Sequence, residues 1–329
     1  MKNLIVLAVA CLVGCAPVPP NRQTLLYVGT YTDTIHLLSF DEHTGAITPY
    51  DHYVGIANPS YLALADSVIY AVSEAGGCGS VVALTKKDLR KLWELTSYGN
   101  SPCYVDVKGQ FMAVGNYGSG NFVIYSGDEP VANVSHGDSL TGANVHCTRF
   151  LGDELWVADL GRDKLYVYDC QGKLLRDMST DVGSGPRHFD FHPTLPVVYL
   201  LCEVSGSIYV YSRNGEQLQV AREGNLADNV GSADVHLTGD GRFLYATYRG
   251  AENAIVVYKV DGQGYLQFVE KYPCGGLHPR NFVIAPGDKY LLVANRDSNN
   301  IVTFEIDTQS GALTYRSEFV VTKPVCLKF

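Results

Sequence analysis

Tryptophan and methionine are nearly absent, with 2 and 3 residues among 329. Charged residues make up only 18% of the chain, and no run rich in Lys and Arg occurs. The net charge is −9, so the basic footprint that nucleic acid requires is missing. An anionic ligand would have to be met by a local group of Arg rather than by the global field. Nine Cys are present, yet no C-x-x-C spacing occurs. Neither a zinc site nor a disulfide framework is signalled. No capped stretch with a 3.6-residue apolar period suggests a helix. Beyond the first residues, no apolar run is long enough to cross a bilayer. What the chain does have is 46% hydrophobic residues, 33 Gly and 22 Tyr. That mixture suits a globular fold of many short strands joined by tight turns.

The N-terminus reads as an export segment. Lys2 precedes the apolar stretch Leu4–Val13, which ends in Leu12-Val13-Gly14-Cys15. This resembles a bacterial lipoprotein signal, with cleavage before Cys15 and a lipid on its sulfur. The stretch is too short to span a hydrocarbon layer about 30 Å thick. The expected division is a signal over residues 1–14, a Pro-containing tether over 15–24 and a single domain over 25–329. Membrane contact would run only through the lipid on Cys15, on a monomer held at the cell envelope. Cys78, Cys103, Cys147, Cys170, Cys202, Cys274 and Cys326 remain in the expected mature chain. They read as small apolar fillers of packed strands, with Cys103, Cys147 and Cys326 at equivalent positions.

Internal repetition is the strongest signal. A strand-like pentad recurs seven times, as in Leu26-Tyr27-Val28-Gly29-Thr30, Leu155-Trp156-Val157-Ala158-Asp159 and Leu291-Leu292-Val293-Ala294-Asn295. The residues that follow are Tyr31, Glu74, Tyr117, Leu160, Glu203, Arg249 and Arg296, at spacings of 43, 43, 43, 43, 46 and 47. Another strand recurs in step, ending at Phe40, Leu84, Tyr125, Tyr168, Tyr211, Tyr258 and Phe304. An entry loop also recurs, as in Ser101-Pro102-Cys103-Tyr104, Gly185-Pro186-Arg187-His188 and His278-Pro279-Arg280-Asn281. This period predicts an all-β fold, a seven-bladed β-propeller of four-stranded antiparallel blades. The chain begins on a second strand without an inner neighbour and ends on Val325–Phe329, an inner strand without a blade. Pairing these two closes the ring and removes an open edge. Two Trp do not support a WD-type or quinoprotein propeller. Gly-Gly pairs occur only at 76 and 275, against kelch repeats, and no sialidase-type Asp box is present.

Loops at one end of a propeller converge on the channel mouth, so matched positions of the repeat form a ring there. Its polar members concentrate in the middle and late blades: His146, Arg187, His188, Glu203, Asp234, His236, Arg249, Arg280, Asn281 and Arg296. Titratable groups gathered in a cleft point to a functional site.

Several motifs in this order resemble the lactonase family, which includes 6-phosphogluconolactonases and eukaryotic carboxymuconate cyclases. They are Tyr27-Val28-Gly29-Thr30-Tyr31-Thr32, Ala158-Asp159-Leu160-Gly161-Arg162-Asp163, Gly183-Ser184-Gly185-Pro186-Arg187-His188, Ser232-Ala233-Asp234-Val235-His236 and Pro279-Arg280-Asn281-Phe282. The resemblance runs from about residue 25 to the end. It implies a catalytic group of His146, Arg187, Glu203 and Arg249 acting on an anionic lactone; no metal-ligand triad is visible in the sequence, so chemistry without a metal or other cofactor is expected. His146 would be general base or acid, with Glu203 orienting or replacing it. Arg187 and Arg249 would hold an anion and stabilise the oxyanion. His188, Asp234, His236, Arg280 and Asn281 would complete substrate binding. Blander roles compete: an interblade ion pair for Arg187 and Glu203, and a hydrogen bond to a neighbouring blade for His188. Many relatives have Pro-His-x-His where this chain has Ala143-Asn144-Val145-His146, which removes one ring His. An export signal also sits poorly with a cytoplasmic sugar phosphate and favours a non-phosphorylated lactone. A muconate-type cycloisomerase and a non-catalytic binding propeller are the alternatives.

Overall fold

The computed structural model describes residues 23–75, 77–137, 139–223 and 231–329. The expected signal, most of the tether and Cys15 lie outside the described residues. Seven four-stranded antiparallel sheets stand around one axis. Blade 1 is composite: the C-terminal strand Pro324–Lys328 pairs with Gln23–Thr30, followed by Thr34–Asp41 and Ile47–Val54. Blades 2 to 7 follow in chain order, each running from the axis outward, with inner strands starting at Leu62, Pro102, Val145, Pro186, Ser232 and Pro279. Ordered structure begins at Gln23, inside the segment expected to be tether, because residues 23–24 already pair with Phe40 and Asp41.

The recurring pentads are the second strands, and they are buried on both faces because each blade packs against the next. Val197–Cys202 and Phe243–Tyr248 are buried throughout. This is why they read as nearly continuous apolar runs rather than as alternating ones. The outermost strands face solvent, as in Ile47–Val54. Interblade packing joins residues of several blades into large apolar clusters, one of which includes the fully buried Trp156.

The recurring entry segments are not loops throughout, as the repeat suggested. Outside blade 2, whose inner strand starts at Leu62 and pairs without a slip, their last residues open the inner strands, and these strands start with a register slip. Pairing jumps from Pro102 to Tyr104, from Val145 to Cys147, from Pro186 to His188 and from Pro279 to Asn281. The residues skipped are Cys103, His146, Arg187 and Arg280. A bulge re-aims the skipped side chain and breaks strict alternation. Cys103 is thus the counterpart of His146, and not of Cys147 as the loop alignment suggested.

Candidate active site

Two rings of side chains meet at the channel mouth. The first is the skipped residue of the inner strand in blades 3, 4, 5 and 7. The second is the residue just after each second strand. In six blades the amide of that second residue donates back to the entry segment: Tyr31 to Lys323, Glu74 to Asn58, Tyr117 to Ser101, Leu160 to Asn144, Glu203 to Gly185 and Arg296 to His278. Five of these six acceptor residues have positive φ, Asn144 being the exception. The repeated turn holds the two rings side by side. Tyr31, Glu74, Cys103, Tyr117, His146, Glu203, Arg249 and Arg280 line a cavity of about 200 Å³.

The geometry of three of the four expected catalytic residues is set by one carboxylate. Glu203 Oε2 accepts from Arg187 Nε at 2.7 Å, and its Oε1 lies 2.9 Å from Arg249 Nη2. Burial alone would raise the Glu203 carboxyl, but the two guanidiniums outweigh it and hold it below its usual range. Both oxygens are engaged, so Glu203 orients the arginines and is a poor proton acceptor. Arg187 is 1% exposed and donates to the Ala233 carbonyl as well. Burial and the neighbouring Arg187 bring Arg249 down to about 10, which leaves it cationic near neutrality.

His146 completes the group. Burial, then the surrounding Arg187, His188, Arg280 and Arg249, push its imidazole well below the usual value. The ring is therefore neutral near pH 7. Its Nδ1 is enclosed without a hydrogen-bond partner, so Nε2 is the nitrogen open to the cavity. Arg280 lies 4.9 Å from the centre of the Tyr31 ring. Among the described residues no side chain hydrogen-bonds or ion-pairs with its guanidinium, which leaves its N–H groups available to a ligand.

The other expected binding residues sit below the cavity. His188 Nδ1 donates to Asp234 Oδ1 at 2.7 Å. Asn281 donates to the other Asp234 oxygen and accepts from the Leu327 amide at 2.6 Å. The His188 ring lies edge-on to the stacked pair Tyr61 and Tyr104, whose centroids are 3.9 Å apart. These residues plug the channel and knit blades 5, 6, 7 and 1 together. His188, Asp234 and Asn281 do not line the mouth, contrary to the expectation from sequence.

His236 departs further from its expected place. It opens into a second cavity, of about 250 Å³, which Tyr61, Tyr104, Asp106, Arg149 and Lys328 also line. Its Nε2 lies 3.1 Å from Asp234 Oδ2, and its Nδ1 lies 3.8 Å from Asp190 Oδ2. Burial would lower its pKa, yet the two carboxylates raise it to about 9. Stability from this cation is complete below about pH 6.5, the value of a free His, and is lost as pH rises through about 9. Thermal melts between pH 6 and 10 should show a loss of about 3 kcal/mol. In a His236→Leu variant, lower in stability throughout, that slope should be gone.

The sequence reading missed Tyr31, Glu74 and Tyr117 as lining residues. They occupy the same repeat position as Glu203 and Arg249, and that equivalence was the available signal.

A family model described as "Lactonase, 7-bladed beta-propeller" matches residues 25–329. The chain is 32% identical to a Bacillus subtilis 6-phosphogluconolactonase, over 92% of its own length and 97% of the relative's. It is 30% identical to a Formosa agariphila 6-phosphogluconolactonase, over 88% and 94%. Among solved structures it is similar to a Pseudomonas aeruginosa periplasmic gluconolactonase. There the TM-score is 0.86 at 28% identity, covering 93% of this chain and 99% of the other.

Proposed function

This chain belongs to the lactonase family of seven-bladed β-propellers, and we propose from that premise that it is a carboxylic ester hydrolase that opens a lactone at the channel mouth. The observation that carries the reading is the gathering of a neutral imidazole and the guanidiniums of Arg249 and Arg280 about one small cavity, with Glu203 held between Arg249 and the buried Arg187.

The chemistry follows from those groups. The lactone carbonyl lies toward Arg249 and Arg280, whose positive charge stabilises the oxyanion formed when water attacks. His146 Nε2 accepts the proton from that water. The tetrahedral intermediate collapses, the ring C–O bond breaks, and the imidazolium returns its proton to the departing alkoxide. The product is the open hydroxy acid, whose carboxylate is left among the arginines. A low imidazole pKa makes a weak base but a strong acid, which suits protonation of an alkoxide. The low-pKa neutral form also keeps the acceptor unprotonated well below pH 6.

Replacing His146 by Ala should lower kcat for lactone opening about 10²–10⁴-fold, with the melting temperature little changed. Stopped-flow or pH-stat assays of a lactone panel check this. Retention of activity by that variant would remove His146 from the mechanism. Silence of the native protein on every lactone would favour a binding propeller.

Export, lipidation at Cys15 and tethering to the envelope belong to the same proposal. They rest on the order Lys2, Leu4–Val13 and Leu12-Val13-Gly14-Cys15. Mass spectrometry of the N-terminal peptide, with a Cys15→Ser control, tests them.

A further inference from the structure

Nearly every charged side chain at the mouth is committed to a protein partner, and Glu74 is the acidic exception. Its backbone is fixed: the amide donates to the Asn58 carbonyl and the carbonyl accepts from Asn58 Nδ2, both at 3.3 Å. The carboxylate is not. Oε2 is enclosed and has no hydrogen-bond donor among the described residues, and Oε1, equally without a donor, is the oxygen that the side chain turns to the cavity. A buried acceptor without a donor is a standing demand for one. Glu203, at the equivalent place in the repeat, takes two arginines. Glu74 takes none, and Arg280 on the same cavity stays beyond ion-pair distance.

Ring order gives the missing donor a direction. Glu74 belongs to blade 2, which stands across the channel from blades 5 and 6, where Arg187, Glu203 and Arg249 lie. A lactone whose carbonyl is turned toward Arg249 presents its far side to Glu74. Tyr31 and Tyr117, from blades 1 and 3, flank it there.

We propose that Glu74 is a specificity-determining residue whose cavity-facing oxygen, Oε1, accepts a hydrogen bond from a hydroxyl group of the lactone. The inference rests on the lactonase reading and adds the contact that selects hydroxylated substrates. A polyhydroxylated lactone supplies such donors. A muconate-type dicarboxylate supplies none and brings negative charge against Glu74, so the same residue disfavours the cycloisomerase alternative. A site built to bond a hydroxyl discriminates strongly against an analogue that lacks it.

The test compares glucono-δ-lactone with δ-valerolactone, which has no hydroxyl, on the native protein and on Glu74→Gln and Glu74→Ala. The expected result is a KM-weighted loss on glucono-δ-lactone at least about tenfold larger than the loss on δ-valerolactone. Equal losses on both substrates, carried in kcat, would make Glu74 a general base and overturn the proposal. Calorimetric titration with gluconate separates this contact from the hydrolytic reading. If native protein turns over neither lactone, that reading fails; gluconate binding weakened at least tenfold by Glu74→Gln still supports the contact, and unweakened or absent binding overturns it. Should the variants fail to fold, a native protein without preference for the hydroxylated lactone overturns it too.

Discussion

Deleting Val325–Phe329 should abolish cooperative folding. Those residues supply nearly all of the inner strand of blade 1, whose hydrogen-bonded pairing with Gln23–Thr30 closes the ring. Gly29, Val28 and Tyr27 pair with Cys326, Leu327 and Lys328. Val325, Cys326 and Leu327 are at most 2% exposed, and burying three such side chains is worth about 5 kcal/mol. The strand also ties neighbours on both sides: the Leu62 amide meets Cys326 Sγ at 3.3 Å, and the Leu327 amide donates to Asn281 at 2.6 Å. Its loss strands those groups and exposes an edge of Gln23–Thr30 to pairing with other chains. The sum is comparable with the total stability of a typical domain, about 5–15 kcal/mol. Circular dichroism and size-exclusion chromatography should show an unfolded or aggregated chain. A truncated protein melting at the native temperature would show that the ring closes without this strand.

Replacing Glu203 by Ala should cost both activity and stability. The carboxylate lies between Arg187, 1% exposed, and Arg249, 8% exposed, and its removal leaves two like charges confined together. Breaking one partner of a buried ion pair costs about 3–5 kcal/mol. Glu203 keeps some access to the cavity, which puts the expected loss near the lower figure. The activity loss should be larger, about 10²–10³-fold in kcat/KM, because Arg249 loses the carboxylate that aims it at the developing oxyanion. Glu203→Gln keeps the shape but not the charge and should fall between. A double variant with Arg187→Ala should cost less than the two single changes added together, since each removes the same contact. The stability Glu203 contributes is present above its unfolded pKa near 4.5 and is lost as pH falls through its lower native value. Unfolding midpoints and steady-state rates measure both effects. Native-like rates in the Glu203→Ala variant would dissociate the arginines from the chemistry.

Repetition made the architecture readable in advance. Each second strand carries its own signature because it is buried on both faces, so no distant partner is needed to recognise it. Counting these strands gives the blades, and the unmatched strands at the two ends give the closure. His146, Arg187, Glu203 and Arg249 were readable for a related reason, since matched repeat positions must share a height along the axis.

What sequence could not supply was the direction of each side chain once the strands pair. Alternation places neighbours on opposite faces, and a one-residue slip exchanges them. The slips at Cys103, His146, Arg187 and Arg280 lift those side chains to the mouth. His188 and Asn281, one residue further on, drop into the plug, and His236 comes out in the opposite cavity. Which carboxylate the arginines close upon is likewise a matter of three dimensions. Glu203 and Glu74 hold equivalent places in the repeat, yet only Glu203 has guanidiniums from its own blade and the next within reach. The amino-acid order thus determined the ring and the height of the site along the axis; strand register and blade neighbours decided which groups face the substrate.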